Sequence, residues 1–165
     1  MGESHLKISN GFSSRNGELN LFLAKDALEY QKLNLGVTYL LLSEDKRLIS
    51  YITLGMGALK IPDIANFEFH GRKLREYPKE FPNQFPALLI GKIATEQSQE
   101  NMGGATSLLK FALKLANELR DKVGCAYLVA HVYPQSIDWY RQKGFKTYVG
   151  NIAERETIPM YLELS

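Results

Sequence analysis

Residues 98–116, SQENMGGATSLLKFALKLA, set three small residues, Gly103, Gly104 and Ala105, at the head of an apolar helical stretch. The first amides of a helix have no intrahelical acceptor and point outward at the positive end of the helix dipole. A phosphate fits that geometry, and a residue without a Cβ lets it come close to the backbone. The same glycines also suit a sharp turn that binds nothing, and the local pattern leaves the two uses level. GxxxxGK followed by Ser or Thr is absent, and so is GxGxxG, which excludes the two most familiar phosphate loops.

Other reactive residue types are sparse. Cys125 is the only cysteine, so neither an internal disulfide nor a cysteine zinc site is expected, and its apolar neighbours Ala126, Tyr127 and Leu128 point to a buried, inert thiol. His5, His70 and His131 lack metal-ligand spacing, and no metal is expected. Trp139 and Tyr140 form an aromatic pair on an amphipathic segment, which by itself reads as core packing. The densest basic cluster, HGRKLREYPK at 70–79, is either a solvated loop or a phosphate-facing patch. A net charge of +2 is too small to signal a general nucleic-acid binder.

The elements that must position these residues follow from periodicity. The 165 residues suit a single domain, 1–165. Residues 6–12 read as a short first strand. Asn16 reads as the cap of a helix that presents Leu19, Phe22, Leu23, Ala27 and Tyr30 on one face. GVTYLLLS and RLISYITLGM, separated by EDK, predict an antiparallel hairpin. From Lys60 to Pro86 periodicity gives way to four prolines and five aromatics, a long loop that is either functional or pinned by buried Phe side chains. ALLIGKIAT (87–95) then predicts a central strand, and a helical stripe runs through Leu108, Leu109, Ala112, Ala116 and Leu119 up to Gly124. CAYLVAHV is a buried strand, QSIDWYRQK a short helix stopped by Gly144, and FKTYVG and IPMYLELS closing strands. Met1 to Lys7 contains no apolar stretch resembling a signal peptide, and no later run approaches the roughly 20 apolar residues that span a bilayer, so a cytoplasmic protein without membrane contact is expected.

IATEQSQENMGGATSLL resembles the acyl-coenzyme A loop of the GCN5-related N-acetyltransferases (GNATs), Arg/Gln-x-x-Gly-x-Gly/Ala after a strand. In that register Glu100 takes the Arg/Gln position, Gly103 the first glycine and Ala105 the last small residue. SIDWYRQKGFKTY resembles the family's second signature, with Tyr140, Gly144 and Phe145 on matching positions. The resemblance implies a mixed α/β fold with a central, mostly antiparallel sheet flanked by helices, and acetyl-CoA as cosubstrate. It implies coenzyme contacts from Ile93, Ala94 and Thr95 to the pantetheine arm and from Glu100, Asn101, Met102, Gly103, Gly104, Ala105 and Thr106 to the pyrophosphate. It also implies Tyr140 as the acid that protonates the departing thiolate. Acetylation of an amine needs a base as well; Glu96, at the end of the central strand, is the first candidate and His131 the second.

GFSSRNGELNLFLAKDALEYQKLNLGVTYLLL, followed by ISYITLGMGAL and PALLIGKIAT, is similar to the toxin branch of that family, in which the acceptor is the α-amine of an aminoacyl-tRNA and a ribbon-helix-helix antitoxin is the partner. Arg72, Lys73, Arg75, Lys79, Arg141, Lys143 and Lys146 are available to face such a substrate. Two other expectations stand beside this one: a generic acetyltransferase of small amines or proteins, and a non-catalytic module that binds acyl-CoA or a partner. Exposed edge strands allow a homodimer.

Overall fold

The computed structural model describes residues 6–63, 66–147 and 155–165. β1 (Val37–Leu42), β2 (Leu48–Lys60), β5 (Gln84–Thr95), β6 (Tyr127–Val132) and β7 (Ile158–Glu163) lie in that order in a five-stranded sheet. β3 (Glu68–Phe69) and β4 (Arg72–Lys73) form a separate two-stranded ladder. The chain divides into two compact units, one comprising residues up to Met56 with Ile90–Leu115, the other Gly57–Leu89 with Ala116–Ser165.

In the first unit, Asn16 caps α2 (Gly17–Leu21), its Oδ1 accepting the N–H groups of Glu18 at 2.9 Å and Leu19 at 3.4 Å. The helix passes through one wide π turn, Phe22–Asp26, into α3 (Ala27–Lys32). Leu19, Phe22, Leu23 and Ala27 are thereby buried together against Leu48, Tyr51 and Ala94, and the Tyr51 hydroxyl donates to Leu19 O at 2.7 Å. Tyr30 stays at the rim, edge-on to Phe22. β1 and β2 form the expected antiparallel hairpin, from Val37 opposite Leu54 to Leu41 opposite Ser50.

The expected strand at 6–12 is instead a helical turn, α1 (Leu6–Ser9), ended by Gly11 at φ +95°. Alternating apolar residues suggested a strand, but Ile8 and Phe12 are four positions apart, one helical turn, and both pack against the same core cluster. Burial on one side of a short segment suits either conformation, and the left-handed glycine decides for the turn.

α4 (Gly104–Val123) follows β5 and carries the expected stripe. Leu108, Leu109, Ala112 and Ala116 are buried and Leu119 half-buried, and Gly124 closes the helix at φ +87° with its N–H on Leu119 O.

The second unit is built on an aromatic core. The long loop folds back as the β3–β4 ladder and a 3₁₀ turn, Leu74–Glu76, and Phe67, Leu74 and Phe85 are buried with Tyr127 and Val129. The loop is pinned by its aromatic side chains, one of the two alternatives the sequence left open. α5 (Ile137–Gln142) ends before Gly144 at φ +90°, and β6 pairs antiparallel with β7. Of the predicted strand FKTYVG, Lys146 bridges Tyr161, while residues 148–150 lie outside the described residues. No described helix is long and apolar enough to cross a membrane.

Candidate functional site

β5 ends at Thr95, and the chain is then fastened from two sides: Glu96 N–H donates to Ile49 O and Gln97 N–H to Ser13 O, both at 2.9 Å. A 3₁₀ turn, Gln97–Gln99, leads to two left-handed residues, Asn101 at φ +63° and Gly103 at φ +88°. Gly103 O accepts the Ser107 N–H at 2.9 Å, which is the first bond of α4. The N–H groups of Gly103, Gly104, Ala105 and Thr106 meet no acceptor among the described residues, and the first turn carries no acidic side chain. The positive pole of a 20-residue helix is therefore left bare beside an exposed loop.

The two glycines are required for different reasons. Gly103 needs the left-handed backbone, and a Cβ there would meet nothing within 4 Å, so its surroundings are open. Gly104 is buried, and a Cβ on it would fall 2.5 Å from Ser50 Oγ and 3.2 Å from Ile49 Cγ2. Ser50 Oγ in turn bonds Thr95 Oγ1 at 2.8 Å, tying the end of β5 to the head of α4 through β2. Ala94 is buried, whereas Ile93 and Thr95 are half-buried.

Two carboxylates border the loop. Glu100 is paired: the Nε–H of Arg15 reaches its two oxygens at 2.7 and 3.0 Å. Glu96 caps the turn that follows it, accepting the Ser98 N–H at 2.8 Å and the Ser98 hydroxyl. It also borders a cleft of about 450 Å³, with Gly11, Phe12, Lys46 and Arg47 on its walls.

Tyr140 belongs to the second unit. Its ring is clasped edge-on by Trp139 at 4.9 Å and Phe145 at 5.0 Å, leaving the residue 5% exposed. Burial holds the phenol well above its ordinary pKa, so it stays protonated, and its hydroxyl makes no hydrogen bond among the described residues. The core reading holds for the ring; the hydroxyl is unspent. His131, exposed on β6 opposite Pro159, borders a cleft of about 330 Å³ with Gly57, Leu89, Val129 and Met160.

No family model and no curated protein matches the chain. Solved structures match it throughout. One described as a bacterial toxin superimposes with a TM-score of 0.79 at 13% identity, over 94% of this chain and 83% of its own. AtaT complexed with acetyl-methionyl-tRNAfMet gives 0.76 at 19%, over 94% and 86%. This is the GNAT fold. A Tyr-to-Phe variant of AtaT, bound to the C-terminus of the antitoxin AtaR and to acetyl-CoA, gives 0.69 at 18%, over 93% and 83%.

Within this GNAT fold the residues expected to hold the coenzyme, Ile93–Thr95 and Glu100–Thr106, lie in one unit with Glu96, while Tyr140 and His131 lie in the other. All seven basic residues singled out from the sequence also lie in the second unit. Arg72 stacks on Tyr77, Lys143 on Trp139, Arg141 meets Asp138, and Arg75 meets Asn66. Cys125 is buried, with its thiol pushed up by burial, which removes it as a nucleophile. No group of three or more His, Cys, Asp or Glu side chains among the described residues is placed to hold a metal ion.

Sequence reasoning missed Ser50 and Arg15. Ser50 sits unremarkably inside an apolar strand. A carboxylate at position 100 calls for a cation, but nothing in the sequence selects Arg15 from twenty basic residues.

Proposed function

We propose that the chain transfers an acetyl group from acetyl-CoA to a primary amine, the α-amine of an aminoacyl-tRNA, and that a ribbon-helix-helix antitoxin is its partner. The observation that carries this reading is the row of unengaged N–H groups from Gly103 to Thr106, at the bare head of α4 and with open space beside Gly103. A pyrophosphate supplies the acceptors these amides lack. AtaT, of the same fold, has been solved with acetyl-methionyl-tRNAfMet and, as a Tyr-to-Phe variant, with the C-terminus of the antitoxin AtaR and acetyl-CoA.

In the proposed reaction the backbone of Ile93–Thr95 pairs with the pantetheine arm, and the neutral amine attacks the thioester carbonyl carbon. A C–N bond forms, the carbonyl becomes a tetrahedral oxyanion, and its collapse breaks the C–S bond. Tyr140 gives its proton to the departing thiolate; the amine's surplus proton passes to water or to Glu96 or His131. Positioning two substrates for direct attack supplies much of the rate, so no covalent enzyme intermediate is needed. The basic residues around β4 and α5 offer a phosphate-facing surface for tRNA.

The test is to incubate the protein with labelled acetyl-CoA and separate pools of charged tRNA, uncharged tRNA, small amines and peptides. Label on the charged tRNA alone supports the reading. Label on amines or peptides alone shifts the acceptor to the generic reading, and binding without transfer to anything makes the chain a non-catalytic module.

A further inference from the structure

The resemblance to the coenzyme loop departs at Glu100, which stands where Arg or Gln is usual and places a carboxylate beside the phosphate site that the resemblance implies. The fold returns a cation to that spot from 85 residues away. Arg15 approaches Glu100 side-on, spending only its Nε–H on the carboxylate, and its two Nη groups make no hydrogen bond among the described residues. The Arg15 side chain is 80% exposed and that of Glu100 27%, so Arg15 is the more open member of the pair.

The backbone on either side of Arg15 is held firmly. Ser14 N–H and Ser14 Oγ both donate to Asn20 Oδ1, at 2.9 and 2.7 Å, and Asn20 Nδ2 donates back to Ser14 O at 3.1 Å. Ser13 O accepts the Gln97 N–H, fastening this segment to the loop that carries Glu100. An exposed ion pair stabilises a fold very little, so the Arg15–Glu100 pair adds little to what these backbone bonds already secure. A guanidinium fixed through Nε presents two parallel N–H donors, the arrangement that grips a phosphate bidentately.

We propose that Arg15 is a coenzyme-binding residue: Glu100 is a positioning residue that aims the Arg15 fork at a phosphate of acyl-CoA. The inference rests on the coenzyme reading of the loop and assigns to the Arg15–Glu100 pair the role that a loop Arg or Gln would otherwise fill.

The test is a titration of acetyl-CoA into the parent, Arg15→Gln, Glu100→Gln and the double variant, with folding checked by thermal melting. Arg15→Gln is expected to weaken binding about tenfold in the parent, the size of one charge-assisted contact. It is expected to weaken binding again in the Glu100→Gln background. Acetyl-dephospho-CoA locates the contact: a loss that persists places Arg15 on the pyrophosphate, and a loss that vanishes places it on the 3′-phosphate. If Arg15→Gln costs nothing once Glu100 is neutral, Arg15 only cancels a charge and the inference falls while the coenzyme reading stands. If the parent binds no acetyl-CoA, both fall.

Discussion

The hydroxyl of Ser50 occupies the place where a side chain on residue 104 would begin, 2.5 Å from the ideal Cβ position of Gly104. The second glycine of the loop is therefore a packing requirement. It lets β2 and the head of α4 close on one another while Ser50 bonds Thr95 at the end of β5. In the proposed reading, close approach to the coenzyme is left to Gly103, whose surroundings are open.

Gly104→Ala is expected to destabilise the protein by about 1–2 kcal/mol, because the added methyl drives Ser50 Oγ off Thr95 and crowds Ile49. Pairing it with Ser50→Ala recovers part of the loss, so the two changes are non-additive in urea unfolding. Strict additivity would mean that the contact does not limit residue 104.

Gly103→Ala acts through backbone strain alone, since φ is +88° and no neighbour lies within 4 Å of the new Cβ. The expected cost is about 1–2 kcal/mol, read as a shift of the urea midpoint with an unchanged slope. Combining Gly103→Ala with Ser50→Ala gives no rescue, in contrast to Gly104.

How much of this was legible in the sequence differs between the two glycines. Gly103 and Ala105 announced a turn into a helix, and the Asn16 cap, the β1–β2 hairpin and the stripe from Leu108 to Ala116 were all carried by local periodicity. The reason for Gly104 was not local: it depends on which strand passes beneath it. The neutraliser of Glu100 was equally hidden, because an arginine beside a helix cap carries no mark of a partner 85 residues on. Residues 6–12 were misread for the opposite reason, since a short apolar alternation fits a strand and a one-turn helix equally well.

Tyr140→Phe is expected to lower turnover about 10²-fold or more, the range of general acid catalysis, with the affinity for acetyl-CoA nearly unchanged, because the ring contacts with Trp139 and Phe145 survive. Steady-state kinetics beside a binding titration checks this. A variant with full turnover removes the phenol from the mechanism.

Burial raises the pKa of both Tyr140 and Tyr127 in the folded state, so the folded protein holds those protons more tightly than the unfolded chain. Below a pH of about 10 both states are protonated and stability is unaffected; above it the unfolded chain ionises first, and stability falls by up to about 1.4 kcal/mol per pH unit for each phenol. Thermal melting between pH 8 and 11 should show the fall, and it should be shallower in Tyr140→Phe. Parallel profiles for parent and variant would contradict the assignment.

Tyr127 Oη is buried without a hydrogen-bond partner among the described residues, inside a cage of Phe67, Phe69, Phe85 and Tyr161. Removing an unpaired buried hydroxyl while keeping the ring recovers its desolvation cost, about 1 kcal/mol. Tyr127→Phe should therefore raise the melting temperature; a lowered one would show that the hydroxyl is satisfied in solution.

The central claim is that the bare helix head beyond β5 receives the pyrophosphate of acetyl-CoA. Isothermal titration of the parent with acetyl-CoA, beside a Gly103→Val variant shown by melting to be folded, tests it most directly. Saturable binding by the parent, lost in the variant because side-chain bulk stands where phosphate must approach, is the predicted result. Equal affinity in the two proteins, or no binding by the parent, would contradict it.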